Sequence, residues 1–456
     1  MSAPEPRAAR SPEALQDEVL EVARRLIRID TTNGNETEAA DFLAGYLHDA
    51  VAGTPAEQRL EVELVAKDPR RANLVARLPA EASLPRAEGS LAFVGHLDVV
   101  PADPQDWTHP PFEAVVDDAG FLFGRGAVDM KNEVAARVVA FAELARTGFS
   151  PRADLWLVMV ADEEDGAADV GMRWLLESRP DIRPTYAVNE GGGQRLELSD
   201  GRVVLTLAVG EKGTQPVRVT ALGEAGHASM PTIGDNAVPR LGELMTRIGR
   251  GLPTLEGSEL LERTLDVLVP DRSPDLATAM DQAATLHPML VHSLPPLAGI
   301  TMAPTLLSGS TARNVMPARA WVELDCRILP GMTPEEVLAA VADRLGRDLP
   351  HELSFPEPIV PGTSSPADGP VVAAIAGFLA EHEPGATALP LLCTGFTDSS
   401  FLRAAGGTAA YGFSPFRSTP ADVLDAGYHN ADERVHVDDL GLAVAFHLDL
   451  ARRLLS

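Results

Sequence analysis

Glu163 and Glu164 are adjacent carboxylates at the end of an apolar run, Leu155–Ala161, that reads as a buried strand. Neighbouring carboxylates repel, so either both face water or something positive is held near them. Groups of matching chemistry recur along the chain. His96 and Asp98 follow the apolar run Leu91–Val94. Asp129 lies in the Gly-rich segment Gly124–Lys131, Glu190 follows Tyr186–Val188, and His429 lies far downstream. Most of these follow a short apolar run or a tight turn, which is where α/β proteins place ligand sites. Carboxylate oxygen and imidazole nitrogen are the donors that a hydrolytic dinuclear zinc centre needs, with one carboxylate bridging the ions. His96, Asp129, Glu164, Glu190 and His429 supply five such ligands. Glu163 is left over as a free carboxylate able to take a proton from water. Asp98 lies two residues beyond His96, on the same face of an extended segment, and is expected to accept the other ring N–H of His96. Taken singly these signals are weak: an Asp-Glu-Glu is usually a solvated turn, and a His-x-Asp a surface hydrogen bond. Their conjunction is what is specific.

The elements that must position these residues alternate between strand and helix. Leu15, Val19, Val22, Leu26 and Ile29 recur at helical spacing, and Ser11 and Pro12 give that helix a cap and a first residue. Asn35–Leu47 reads as a second helix capped by Asn35. Arg71–Ala80 and Leu91–Val94 read as strands, and Asp117-Asp118-Ala119-Gly120 as the turn of a hairpin. A helix from Lys131 to Arg146 ends at Gly148, strand Leu155–Ala161 follows, and a further helix runs from about Val170 to Leu176. This order predicts an α/β layer. After Gly210 the pattern changes. Strands Pro216–Leu222 and Arg319–Ile328 flank a long Leu- and Ala-rich stretch, Thr254–Leu297, that is helical in places. Pro330-Gly331 breaks the chain, and a helix from Pro334 to Leu345 and a strand near Leu353 come next. The expected fold is therefore α/β: a catalytic domain split into residues 1–210 and 331–456, with a smaller α+β lid domain of residues 211–330 inserted in it.

Composition narrows the class. A chain of 456 residues predicts two domains, and 45% hydrophobic residues suffice for packed cores. A net charge of −28 argues against nucleic acid or an anionic membrane as partner. Cys326 and Cys393 form neither a disulfide framework nor a CxxC motif, and Met1–Arg10 has no apolar signal region. No run approaches the length of a membrane span. A soluble cytoplasmic protein is expected.

The chain resembles the M20 family of zinc aminoacylases, dipeptidases and carboxypeptidases. The matching segments are Gly95-His96-Leu97-Asp98-Val99-Val100-Pro101, Gly124–Lys131, Asp162-Glu163-Glu164, Asn189-Glu190-Gly191-Gly192, Gly226-His227-Ala228-Ser229, Arg313-Asn314-Val315-Met316-Pro317 and His429–Val435, in the family's order. The resemblance implies two Zn2+ per chain, with Co2+ or Mn2+ able to substitute. His96 and Glu190 would hold one ion, Glu164 and His429 the other, and Asp129 both. Glu163 would be the general base and Asp98 the partner of His96. A cis peptide after Asp129 is a further implication.

The same resemblance gives His227 the task of stabilising the tetrahedral oxyanion, commonly in the partner subunit's site in dimeric members; since some members are monomeric, a homodimer and a monomer both stay open. Asn314 and Arg327, with Arg327 in Asp325-Cys326-Arg327, would grip the substrate's free carboxylate; otherwise Arg327 is a surface partner of Asp325. Gly395-Phe396-Thr397-Asp398, ahead of a helix near Ser399, could offer main-chain N–H groups to the same carboxylate. The remaining histidines, His447 among them, read as structural. The implied reaction is zinc-dependent hydrolysis of an amide bond beside a free carboxylate in a small substrate, either an N-acyl amino acid or a peptide C-terminus. A dipeptidase is the alternative, and an inactive binding relative a third reading.

Overall fold

The computed structural model describes residues 5–32, 34–249, 251–253, 255 and 257–456. The first four residues of the N-terminal segment, and Thr254 at the start of the Leu- and Ala-rich stretch, lie outside them. The chain forms two compact units. One comprises Met1–Val209, Ser365–Pro390 and Thr397–Ser456, and the other Gly210–Ser364 and Leu391–Phe396.

The first unit opens with helix α1, Pro12–Arg28, whose Ser11 hydroxyl accepts the Ala14 N–H and whose apolar stripe is buried. Helix α2 is Glu36–Val51. Asn35 precedes it but does not cap it with its side chain. Its φ of 74° turns the amide away, toward Asp30 O and Glu38 Oε2. Next come β1, Glu61–Val65; β2, Asn73–Leu78; β3, Leu91–His96; β4, Val115–Val116; and β5, Phe121–Phe123. Helix α3, Lys131–Arg146, is buried along its whole length. Strand β6, Leu155–Val160; helix α4, Met172–Ser178; strands β7, Tyr186–Asn189, β8, Arg195–Glu197, and β9, Val203–Glu211, complete this part of the chain.

The second unit holds β10, Gly213–Thr214; β11, Val217–Leu222; β12, Gly226–His227; helices α5, Ala237–Ile248, α6, Glu259–Leu268, α7, Leu276–Ala284, and α8, Leu290–Ser293; strands β13, Thr301–Ser308, β14, Val315–Met316, and β15, Arg319–Ile328; helix α9, Pro334–Leu345; and strands β16, His351–Ser354, and β17, Thr363–Ser364. Its main sheet runs β10-β15-β11-β16, with β13 on β15. The expected boundary at residue 330 falls inside this unit, and the physical reason is strand pairing. β11 needs a partner on the side away from β15, and β16 supplies it from Ser354 opposite Arg218 to His351 opposite Ala221. Val337, Val341 and Leu345 of α9 close the same core over Leu241 and Leu244 of α5.

The chain returns to the first unit through α10, Pro370–His382; β18, Ala386–Cys393, of which the part from Leu391 on belongs to the second unit; α11, Ser399–Gly406; β19, Ala409–Gly412; α12, Ala421–Gly427; β20, Arg434–His436; and α13, Val437–Leu455. Its large sheet runs β1-β2-β6-β3-β7-β19-β9. At its centre β3 runs parallel to β6 and β7, and β7 parallel to β19. Parallel strands end on one side, so His96, the turn after Val160 and the residues after Asn189 share one edge. A small sheet, β20-β5-β4, lies apart from the large one. Among the described residues no helix is long and apolar enough to cross a membrane.

Candidate functional site

The carboxyl edge of the parallel strands gathers the predicted ligands. His96 ends β3 opposite Val160, the last residue of β6, and Glu190 follows β7 directly. Asp129 and His429 arrive by another route. β5 pairs antiparallel with β20, Phe123 opposite Arg434, so the loop leaving β5 and the loop entering β20 lie side by side. Asp129 belongs to the first and His429 to the second.

Asp129 joins two groups of potential donors. Its Oδ1 lies 3.0 Å from His96 Nε2, which is 3.5 Å from Glu190 Oε2. Its Oδ2 lies 3.3 Å from His429 Nε2, which is 3.0 Å from Glu164 Oε2. Within each group, His96–Asp129–Glu190 and Asp129–Glu164–His429, one donor atom from every residue lies within 4.8 Å of the others. The peptide bond between Asp129 and Met130 is cis.

Two observations bear on whether this donor set fits a cation. Glu164 Oε1 and Glu190 Oε1 are buried without a hydrogen-bond partner, one in each group. A buried carboxylate oxygen left so is costly unless something positive faces it. Charges are displaced throughout. Burial, then the neighbouring acids, push Glu164 up to about 7, and Glu163 and Glu190 are raised by burial in the same way. His96 is held well above the ordinary imidazole range: burial opposes its charge, but Glu190 and Asp129 outweigh that. His429 is raised mainly by its bond to Asp129, which is itself lowered by the two imidazoles against the effect of burial. A site that draws protons onto both imidazoles is one a divalent ion can occupy in their place. The residues fit the group.

Asp98 has a different part from the one its spacing suggests. His96 Nδ1 donates to the main-chain oxygen of Asp98 at 3.0 Å, while the nearest carboxylate oxygen stands 3.7 Å away. The carboxylate instead accepts the main-chain N–H groups of Glu163 and Glu164, at 3.2 and 3.1 Å. The tautomer of His96 is therefore set by the backbone, and the side chain of Asp98 holds the acidic turn. The reason is geometric: β3 ends at His96, so strand alternation does not extend to Asp98.

Residues whose individual roles no local motif discloses complete the support. Asp162 takes a left-handed conformation, φ 63°, and its carboxylate accepts from Val170 N at 3.2 Å and Arg71 Nη1 at 3.1 Å. Arg71 is held by Glu36, from Nε to both carboxylate oxygens at 2.9 and 3.1 Å. Arg71, Glu36 and Asp162 are all buried. Asp398 is buried ahead of α11, and burial, then repulsion from Glu190, raise its carboxyl well above the usual range against the pull of His96. Glu433 accepts four hydrogen bonds from the loop that carries Asp129. A buried charge found only by its distant partners leaves no local pattern in sequence.

His227, Asn314 and Arg327 lie in the second unit. His227 pairs with Val315 in the small β12–β14 sheet, and Ala228 N donates to Asn314 O at 3.0 Å, so His227 and Asn314 are brought together. Gly226 is needed there, since a Cβ would lie 2.5 Å from Ile233 O. His227 Nδ1 accepts from Ser229 N at 3.2 Å and lies 2.8 Å from its hydroxyl, so the N–H of the neutral ring is on Nε2. Arg327 forms a fork with Asp325, at 2.8 and 3.1 Å. Lys212, also missed, donates to Pro296 O and Gly299 O at 2.8 and 2.7 Å, and burial, then Arg327, lower its amine to about 8.

Residues 92–453 match the model of peptidase family M20/M25/M40. A succinyl-diaminopimelate desuccinylase of Acidiphilium cryptum is 30% identical over 381 residues, 81% of this chain and 82% of that protein. Aminoacylase-1 of Sus scrofa is 30% identical over 354 residues, 76% of this chain and 75% of that protein. The fold is shared with the Bacillus subtilis YXEP protein, described as a dinuclear metal binding peptidase, at a TM-score of 0.60 and 13% identity over 97% of this chain and 98% of that one.

Proposed function

The chain belongs to peptidase family M20/M25/M40, and on that premise we propose that it is a di-zinc amidohydrolase that removes the acyl group from an N-acyl amino acid. Membership makes it a metal-dependent hydrolase acting on an amide bond. The finer reading rests above all on Asp129, whose two oxygens face two separate donor groups. His96 and Glu190 would hold one ion, Glu164 and His429 the other, and Asp129 would bridge them; Co2+ or Mn2+ would substitute for Zn2+. When bound, the pair would polarise the scissile carbonyl and make water acidic enough to react near neutral pH.

The chain's own residues would carry the protons. Glu163 is the carboxylate beside Glu164 that neither donor group uses. Its raised pKa suits a group that accepts a proton from the attacking water and returns it to the leaving amine. Asp98 would hold Glu163 in place through its main-chain N–H. His227 would offer its Nε2–H to the developing oxyanion, in its own chain or across a homodimer. Asn314 and Arg327 would receive the free carboxylate of the substrate. A deacylase is favoured because the desuccinylase and the aminoacylase are relatives over most of this chain, and a peptide C-terminus is the competing substrate. A cytoplasmic location is part of the same proposal, since Cys326 and Cys393 do not make a disulfide framework.

Elemental analysis of the purified protein should give two metal equivalents per chain. Chelation should abolish hydrolysis, and metal loss should increase as pH falls through the imidazole range. N-acyl amino acids should turn over faster than dipeptides with the same terminal residue. Full hydrolytic activity in the metal-free protein would refute the reading, and preference for dipeptides would move it to the peptidase branch.

A further inference from the structure

Glu433 is fully buried and lies four residues beyond His429, immediately before β20. Its carboxylate is saturated by the loop that carries Asp129. Oε2 accepts from Arg125 Nη1 at 2.7 Å and Gly126 N at 3.0 Å, and Oε1 from Val128 N at 2.6 Å and Asp129 N at 2.9 Å. Its main-chain oxygen accepts from Gly124 N at 3.1 Å. The loop of Asp129 is thus wrapped around one side chain, and that side chain belongs to the loop of His429.

We propose that Glu433 is the positioning residue that sets His429 against Asp129 and so selectively tightens the Asp129–Glu164–His429 cation site. The inference rests on the reading of the two donor groups as a metal centre. Its physical basis is the number of constraints. Four N–H donors converge on two oxygens, and Arg125 neutralises the charge while its guanidinium lies 5.2 Å from the centre of the Trp107 ring. Such a clamp leaves Asp129 little freedom relative to the chain that leads back to His429. The other donor group depends on it less. His96 and Glu190 stand on β3 and after β7, elements whose pairing does not involve Glu433. Only Asp129 of that group lies on a clamped loop, whereas the second group has two such members.

The test is zinc binding by the whole protein, stripped with chelator and titrated with Zn2+, beside thermal unfolding with and without the ion. Glu433→Gln keeps the shape but turns one acceptor oxygen into an N–H2 donor, which faces N–H groups on either side. We expect native protein to bind two Zn2+. Glu433→Gln should bind one with native affinity and the second roughly 10–100-fold more weakly, the usual effect of losing a support behind a metal ligand. The rise in unfolding temperature produced by Zn2+ should shrink accordingly, a change that a purely structural role would not cause. Two sites of native affinity in the variant would overturn the proposal, as would equal weakening of both, which would mean that Glu433 acts through Asp129 alone. Should Glu433→Gln not fold, Glu433→Asp, which keeps the charge but reaches less far, decides by the same criteria. Failure of both to fold in saturating Zn2+ also refutes the proposal, by making Glu433 a residue of the fold first. Native protein that binds no Zn2+ would instead refute the metal reading itself.

Discussion

Asp98 is bound to the turn of Glu163 and Glu164 through its carboxylate and to His96 through its main-chain oxygen. One residue thereby sets the distance between a predicted ligand and the predicted base, using different atoms for each. Asp98→Asn should separate the two functions. The amide offers an N–H2 to a main-chain N–H that needs an acceptor, so the acidic turn should shift and kcat should fall roughly 10–100-fold. The His96 contact is made by the backbone and should survive, leaving the His96 metal in place. Metal analysis beside steady-state kinetics checks this; loss of that metal with an unchanged kcat per loaded site would contradict it.

The neighbours Glu163 and Glu164 should respond differently. Glu163→Gln should retain both metals and lose on the order of 10²–10⁴ in rate. Glu164→Gln should lower occupancy of one metal, because its carboxylate faces His429 and Asp129. Near-normal turnover in Glu163→Gln would move the base elsewhere.

Arg71 compensates two buried acids, Glu36 and Asp162, from strand and helix neighbours far apart in sequence. Arg71→Met should leave both uncompensated and destabilise the protein by about 3–5 kcal/mol, as when one partner of a buried ion pair is removed. Chemical denaturation measures the loss. A change under about 1 kcal/mol, the range of exposed pairs, would show that water reaches the cluster.

Arg327 is engaged by Asp325 and partly exposed, so on the proposed reading its fork would be shared between that partner and a substrate carboxylate. Amidating the substrate's carboxyl should raise KM strongly for native enzyme and much less for Arg327→Ala, a coupling readable as a double-mutant cycle. Asp325→Asn frees the guanidinium and should lower KM. Equal losses on amidation in native and Arg327→Ala enzymes would make the residue structural.

His447 is buried in α13, donating from Nδ1 to Ala443 O at 2.7 Å and accepting at Nε2 from Arg137 Nε at 3.3 Å. Burial, then the Arg137 charge, hold its pKa well below the ordinary 6.5. The folded protein keeps the ring neutral, while the unfolded chain takes up a proton below that value. Stability should therefore fall as pH drops from about 6.5 toward the folded pKa, by up to about 1.4 kcal/mol per pH unit. In metal-free protein, His447→Leu should be less stable at pH 8, and its deficit should narrow on acidification. Parallel stability curves would show that the ring titrates in the folded protein as it does in the unfolded chain.

What could be read from sequence was whatever repeats locally or sits beside a strand end. The stripe of α1, the strands before His96 and Glu163, and most of the donor residues carry such signals, whereas His429 carries none; the structure brings the five donors into two groups that share Asp129. The hydrogen bond of Asp98 departs from strand alternation because β3 ends at His96, two residues before it. Asn35 stands at the N-cap of α2 as its residue type suggests, but with its positive φ the side chain makes no capping hydrogen bond. The boundary at residue 330 was set by a Pro-Gly break, whereas the pairing of β16 with β11 keeps the following helix and strand in the second unit. Arg71 and Glu433 were invisible in the roles they have, since their partners lie up to 91 and 308 residues away.

The antiparallel match of β5 with β20 also has a consequence for biosynthesis. Arg125, whose charge meets Glu433, leaves the ribosome 308 residues ahead of it, and the whole second unit is translated in between. Through that interval a nascent chain carries Asp129, Glu164 and Glu190 without His429, and α3 without the cover of α13. Hydrolytic competence should thus appear late and abruptly during translation, which keeps a half-made enzyme from acting on its surroundings. The same delay leaves the apolar surface of α3 exposed until α13 is made, so this stretch of the growing chain is where chaperones would be expected to engage it.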